Sequence, residues 1–130
     1  MAACPCGRED ARGRPLAYTA CCARYLAHDT PAPDAEALMR SRYSAFVFAR
    51  ADYLLATWHT SQRPSGIDFD PRRKWLSLEV RQHRVLDATH AEVEFVARQK
   101  SPGSPALRLH ERSRFLREDG RWYYVDGDTS

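Results

Sequence analysis

Apolar positions recur at helical spacing in the first half of this chain and alternate with polar ones in the second. From Asp34 to Ala49, Leu38, Met39, Tyr43, Phe46 and Val47 share one helical face. Asp34 is placed as N-cap and Glu36 in the first turn, so an amphipathic helix is predicted here. Asp52 is positioned to cap a second short helix, Tyr53 to Trp58, which adds Leu54, Leu55 and Trp58 to the same core. Ahead of both, Ala23 to His28 reads as a short helix. Thr30-Pro31-Ala32-Pro33 follows it as an extended breaker, because proline fixes φ and brings no N–H to a helix.

Ser61 to Arg73, with Pro64, Gly66 and Pro71, reads as a loop, and strands come after it. Trp75 to Leu86 alternates Leu76, Leu78 and Val80 with polar neighbours. His90 to Arg98 sets Ala91, Val93, Phe95 and Ala97 against His90, Glu92, Glu94 and Arg98. Leu107 to Glu118 is a third strand, and Asp119-Gly120 is a hairpin signal leading into Trp122 to Asp126. Helices first and an antiparallel meander afterwards predict an α+β domain with the sheet packed around the long helix. The proline breaker divides the chain into an N-terminal module, residues 1–30, and a main domain, residues 34–130.

Composition changes little of this. Hydrophobic residues at 43% and charged residues at 28% are those of an ordered globular chain of 130 residues. No apolar run is long enough for a membrane span and no secretory signal opens the sequence, so a cytoplasmic location is expected. The net charge of +3 is spread along the chain, and only Lys74 and Lys100 among the 20 basic residues are not arginine.

The cysteines add the strongest chemistry. All 4 lie in the first 22 residues, as Cys4-Pro5-Cys6 and Cys21-Cys22. A disulfide framework would need an oxidising compartment, and adjacent cysteines bridge only with strain. Two close thiolate pairs joined by a loop instead suit a closed tetrahedral zinc site, structural rather than catalytic because no ligand position stays open. Cys4-Pro5-Cys6-Gly7 with Tyr18-Thr19-Ala20-Cys21-Cys22 resembles the SEC-C motif, the small zinc module at the end of the bacterial translocase ATPase. The resemblance implies that these four cysteines carry the metal. The spacer from Gly7 to Ala20 is longer than usual for the motif, with Arg8 to Arg12 expected to bulge out.

Further along, Ala37-Leu38-Met39-Arg40-Ser41-Arg42-Tyr43-Ser44-Ala45, Leu55-Ala56-Thr57-Trp58-His59, His110-Glu111-Arg112-Ser113-Arg114-Phe115 and Gly120-Arg121-Trp122-Tyr123-Tyr124-Val125-Asp126-Gly127 resemble the YchJ family. That resemblance spans nearly the whole chain. It implies a SEC-C module followed by a cone-like domain similar to nuclear transport factor 2 and ketosteroid isomerase, whose concave sheet and helices enclose a pocket. The resemblance assigns no reaction.

Alternation puts Leu107, Leu109, Glu111, Ser113 and Phe115 on one face of their strand, with Phe115 opposite Tyr124 and Ser113 opposite Asp126. Glu111 therefore faces the apolar side. An ion pair to Arg40 or Arg42 of the long helix is the favoured way to compensate it, and a pocket carboxylate of raised pKa is the alternative. His59, at the end of the second helix, is placed to exchange a proton near neutral pH or to complement the helix C-terminus. Arg40, Arg42, Tyr43, His59, Glu111 and Ser113 are thus the pocket candidates. Three functions are open: an adaptor that meets a protein partner through the zinc module, a binding protein or acid–base enzyme with a small-molecule ligand in the cone, and a nucleic-acid or ribosome binder.

Overall fold

The computed structural model describes residues 2–28 and 30–129. Its helices are α1 (Ala23–Leu26), α2 (Ala35–Val47) and α3 (Ala51–Ala56); its strands are β1 (Lys74–Val85), β2 (His90–Lys100), β3 (Leu107–Glu118) and β4 (Arg121–Thr129). The strands pair antiparallel in chain order, β1-β2-β3-β4. This is the α+β architecture that the two hydrophobic periods predict.

At the start of α2 the Asp34 carboxylate accepts the Ala37 N–H at 2.7 Å, and Glu36 pairs with Arg40 one turn on at 2.9 Å. Nine of the 13 residues of α2 are buried, more than one amphipathic stripe requires. The helix is covered by the sheet on one side and by α3 and the cysteine module on others. Its buried polar groups are therefore bonded locally: Ser41 Oγ donates to Leu38 O at 2.8 Å and lies 2.7 Å from the Tyr53 hydroxyl. The chain leaves α2 through Ala49, in the left-handed region at φ 54°, with Arg50 N–H bonded back to Ala45 O.

That tight exit shifts α3 to an earlier start than the expected Tyr53, and Asp52 does not cap it. Asp52 sits in the first turn, where Arg50 at 2.9 Å and His28 at 3.1 Å occupy its carboxylate. Likewise α1 stops at Leu26, short of His28, because His28 takes φ 65°.

In the sheet, β2 turns Ala91, Val93, Phe95 and Ala97 inward, as the alternation predicts. Register shifts in β1 near Leu76 and Arg81 bend its edge, as bulges do. Asp119 and Gly120 both have positive φ, 52° and 77°, the conformation a two-residue type I′ hairpin needs. Phe115 then faces Tyr124 as expected, but a bulge at Val125 places Ser113 opposite Gly127 rather than Asp126. The inserted residue slips the rest of β4 by one position. Segment 57–59 attaches to this strand, with Tyr124 N–H donating to Thr57 O and His59 N–H to Tyr124 O, both at 2.8 Å.

Candidate metal site and cavity

The spacer between the cysteine pairs doubles back as a narrow ribbon. Bridges join Ala3 to Ala17 and Glu9 to Pro15. At its tip Asp10 Oδ1 accepts the N–H groups of Arg12 and Arg14 at 2.8 and 3.1 Å, and Gly13 takes φ 77°. The long spacer thus returns the chain to its start, bringing Cys21 and Cys22 beside Cys4 and Cys6.

The four Sγ atoms lie within 4.8 Å of one another, all buried and none disulfide-bonded. Cys6 and Cys21 are 3.7 Å apart at sulfur. A tetrahedral zinc with bonds of about 2.3 Å holds its sulfurs about 3.8 Å apart, so this donor set fits a thiophilic metal ion. Hydrogen bonds from Cys22 and Cys6 hold the Cys4 thiol far below its ordinary value. Hydrogen bonding to Cys4 pushes Cys22 far up, and burial together with the charge of Cys6 pushes Cys21 up to about 12. Without a cation the four groups do not all ionise, and a divalent ion among them would favour the thiolate at each.

The module is seated on α2. Cys4 Sγ is 3.7 Å from Ser44 Oγ, Arg40 Nη1 donates to Cys6 O at 3.0 Å, and Arg8 reaches Glu36 at 3.7 Å. The cysteines belong to the same buried cluster as Leu38, Leu54 and Phe115.

On another side of α2, between it and the sheet, lies a cavity of about 150 Å³ whose wall includes Arg42, Tyr43, Glu111 and Ser113. Arg42 is 4% exposed. Its Nη1 donates to Leu54 O at 2.8 Å and Thr57 Oγ1 at 2.7 Å, and its guanidinium lies over the Trp58 and Tyr124 rings, 5.0 and 4.7 Å from their centroids. Burial lowers its pKa to about 10. Glu111 Oε2 accepts from Ser113 Oγ and, at 3.2 Å, from the Tyr124 hydroxyl. Burial, and then the charge of Glu111, raise the Tyr124 phenol. Burial also raises Tyr43, to about 12. Trp58, in the same wall, keeps Nε1 buried with no partner among the described residues. Phe46 and Trp75, with ring centroids 5.6 Å apart, separate this cavity from a more open groove of about 400 Å³ that runs past Phe69 and Asp70.

The expected ion pair between Glu111 and Arg40 or Arg42 does not form: two hydroxyls satisfy the carboxylate instead. Arg40 is taken by Glu36 and Cys6, and among the described residues no carboxylate lies within 4.0 Å of Arg42. His59 lies outside the cavity, its Nε2 3.0 Å from Glu118 and its Nδ1 2.7 Å from Ser61. The bond of its own N–H to Tyr124 O fixes segment 57–59 on β4 so that Trp58, one residue before it, lines the cavity.

Residues 34–127, most of the chain, match the family described as "YchJ, middle NTF2-like domain". The chain belongs to the YchJ family. Among YchJ-like relatives, a UPF0225 protein of Polaromonas sp. is 78% identical and covers 98% of this chain and 94% of its own. One from Bordetella parapertussis is 54% identical, covering 98% and 92%. Two solved structures carry the same architecture. A SEC-C motif containing protein from Rhodopseudomonas palustris superposes with TM-score 0.83 at 33% identity, over 99% of each chain. One from Psychrobacter arcticus gives TM-score 0.79 at 32% identity, over 98% of this chain and 82% of its own. The cavity of this YchJ-family chain also uses Trp58, which the helical spacing places in the core, together with Trp75 and Tyr124 of the strands. Tyr124 had a readable signal, since it pairs with Phe115 on the Glu111 face. The two tryptophans had none.

Proposed function

We propose that this YchJ-family protein binds a small molecule in the cavity beneath α2, and that its four cysteines hold a structural zinc ion. The observation that carries the binding reading is Arg42: a buried cation with no carboxylate at ion-pair distance among the described residues, at the wall of an aromatic cavity. A buried charge is costly unless it is paired, so such an arrangement favours a polar guest. Binding is better supported than acid–base catalysis, because His59 points away and Glu111 is already engaged by two hydroxyls. Four reduced thiols suit the cytoplasm, where we place the protein. Among the described residues no helix is long and apolar enough to cross a membrane.

The test is a thermal-shift screen of metabolites on the metal-loaded protein, with Ala97→Leu filling the cavity. At least one compound should raise the melting temperature of the wild type and leave Ala97→Leu unmoved. If nothing shifts the wild type, or the shift persists in the variant, the binding reading is wrong. For the metal, protein purified without added metal should carry about one zinc per chain. Near-zero content with oxidised cysteines would overturn that assignment.

An adaptor role is the second reading, supported by the exposed ribbon tip from Glu9 to Arg14. Charge reversal of Arg12 and Arg14 should then remove a partner from pull-downs, and an unchanged recovery would count against it. Nucleic-acid binding has weaker support, since Arg81, Arg84 and Arg114 are each paired with carboxylates of the sheet.

A further inference from the structure

One cation and one carboxylate in the wall of a single small cavity restrict what a guest must bring. Both hydrogen bonds made by the Arg42 side chain leave from Nη1. A guanidinium has five N–H donors, and among the described residues the three on Nε and Nη2 have no hydrogen-bond partner. Aromatic rings lie against the guanidinium, so a guest meets it at its hydrogen-bonding edge. Glu111 receives both hydroxyl donors on Oε2, and among the described residues Oε1 has none. Its carboxylate is seated where β4 has no side chain: a Cβ on Gly127 would lie 2.5 Å from Oε2.

Charge sets the next constraint. Arg42 and Glu111 together leave the wall close to neutral, and each acts electrostatically on its surroundings. An anionic guest would gain Arg42 but meet Glu111, and a cationic one the reverse. A neutral group with an acceptor beside a donor satisfies both. Size and shape narrow it further. A volume of about 150 Å³ equals that of an engineered apolar cavity that takes up benzene, so a single ring is the guest that fits. Of the remaining wall, Tyr43, Phe46, Trp75 and Phe95 are aromatic and Met39, Ala97 and Leu109 are aliphatic, an apolar lining that suits a flat ring.

Resting on the binding reading above, we propose that the cavity takes neutral single-ring lactams, cyclic amides whose carbonyl accepts from Arg42 and whose N–H donates to Glu111. Such a guest would set its edge between the two charged groups, which line one cavity without forming an ion pair.

The test uses the full metal-loaded chain and isothermal titration with three probes: 2-pyridone as the lactam, benzoate as an anion of the same ring size, and anisole as a neutral ring with no N–H. We expect 2-pyridone to bind about tenfold or more tighter than either of the others, since they leave a charged hydrogen-bonding group unmatched. Glu111→Gln should weaken 2-pyridone and strengthen benzoate, because it removes the negative charge. Gly127→Ala, which keeps the charge but displaces the carboxylate, should weaken 2-pyridone while melting cooperatively. Benzoate or anisole binding the wild type as tightly as 2-pyridone overturns the lactam assignment, as does an unchanged pair of affinities in Glu111→Gln. Failure of all three probes also overturns it, and the binding reading then stands or falls on the metabolite screen with Ala97→Leu.

Discussion

Gly127 carries no side chain, and the Glu111 carboxylate rests on that bare stretch of β4. Gly127→Ala should destabilise the protein by about 1–3 kcal/mol, the usual cost of overpacking, as read from urea denaturation. A wild-type midpoint would show that the carboxylate can swing aside at no cost. The buried phenols lend the fold a pH dependence at the alkaline end. Burial holds Tyr43 and Tyr53 up to about 12, against an ordinary value near about 10. Their folded values exceed their unfolded ones, so the stability they contribute is complete below about pH 10 and lost as pH rises through about 12. Phenolate absorbance of these tyrosines should therefore appear together with unfolding. Complete titration near pH 10 in a folded protein would contradict this. At this scale, alternation along β3 revealed the face of Glu111, with Ser113 two residues away and Tyr124 opposite Phe115 on the same side. That these two hydroxyls, and not Arg42, engage the carboxylate depends on how β4 and α2 pack.

The ends of α2 show how differently two boundaries are written. Its start is local: Asp34 offers the first turn a carboxylate, and Asp34→Ala should cost about 1 kcal/mol in thermal or chemical denaturation. Its end is not, because alanine has no preference for the left-handed conformation found at Ala49. Ala49→Gly should relieve that strain and stabilise the protein by about 1 kcal/mol. A loss of stability instead would mean that the Ala49 methyl group packs usefully. The bulge at Val125 is a similar case. A hairpin turn sets the register of its first pairs, and nothing in the local sequence announces the extra residue that later slips Gly127 into place.

For the whole molecule, the cysteine module and the main domain share one core, even though a proline breaker joins them. Cys4 touches Ser44, Arg40 reaches Cys6, and Arg42 and Tyr43 on the same helix line the cavity. Structural zinc contributes on the order of 10 kcal/mol to small modules, comparable with the total stability of a domain. With the proposed zinc held by the four cysteines, removing it with a chelator should therefore loosen the entire chain in one transition. Trp58, Trp75 and Trp122 all lie outside the module, so their fluorescence reports on the main domain. An unchanged tryptophan spectrum and melting curve after complete metal removal would instead identify the module as an independent appendage.

By itself the sequence determined what depends on near neighbours: the helical and strand periods, the Asp34 cap, the Asp119-Gly120 hairpin and the gathering of thiols in 22 residues. These follow from backbone sterics, alternation and ligand chemistry, which act over a few residues. Only the tertiary structure decided that Arg40 serves the cysteine module while Arg42 serves the cavity, and that Trp58 rather than His59 turns inward. The physical reason is that a buried charge takes whichever partner packing brings within reach. That depends on how α2, β3 and β4 meet, and no spacing along the chain records it.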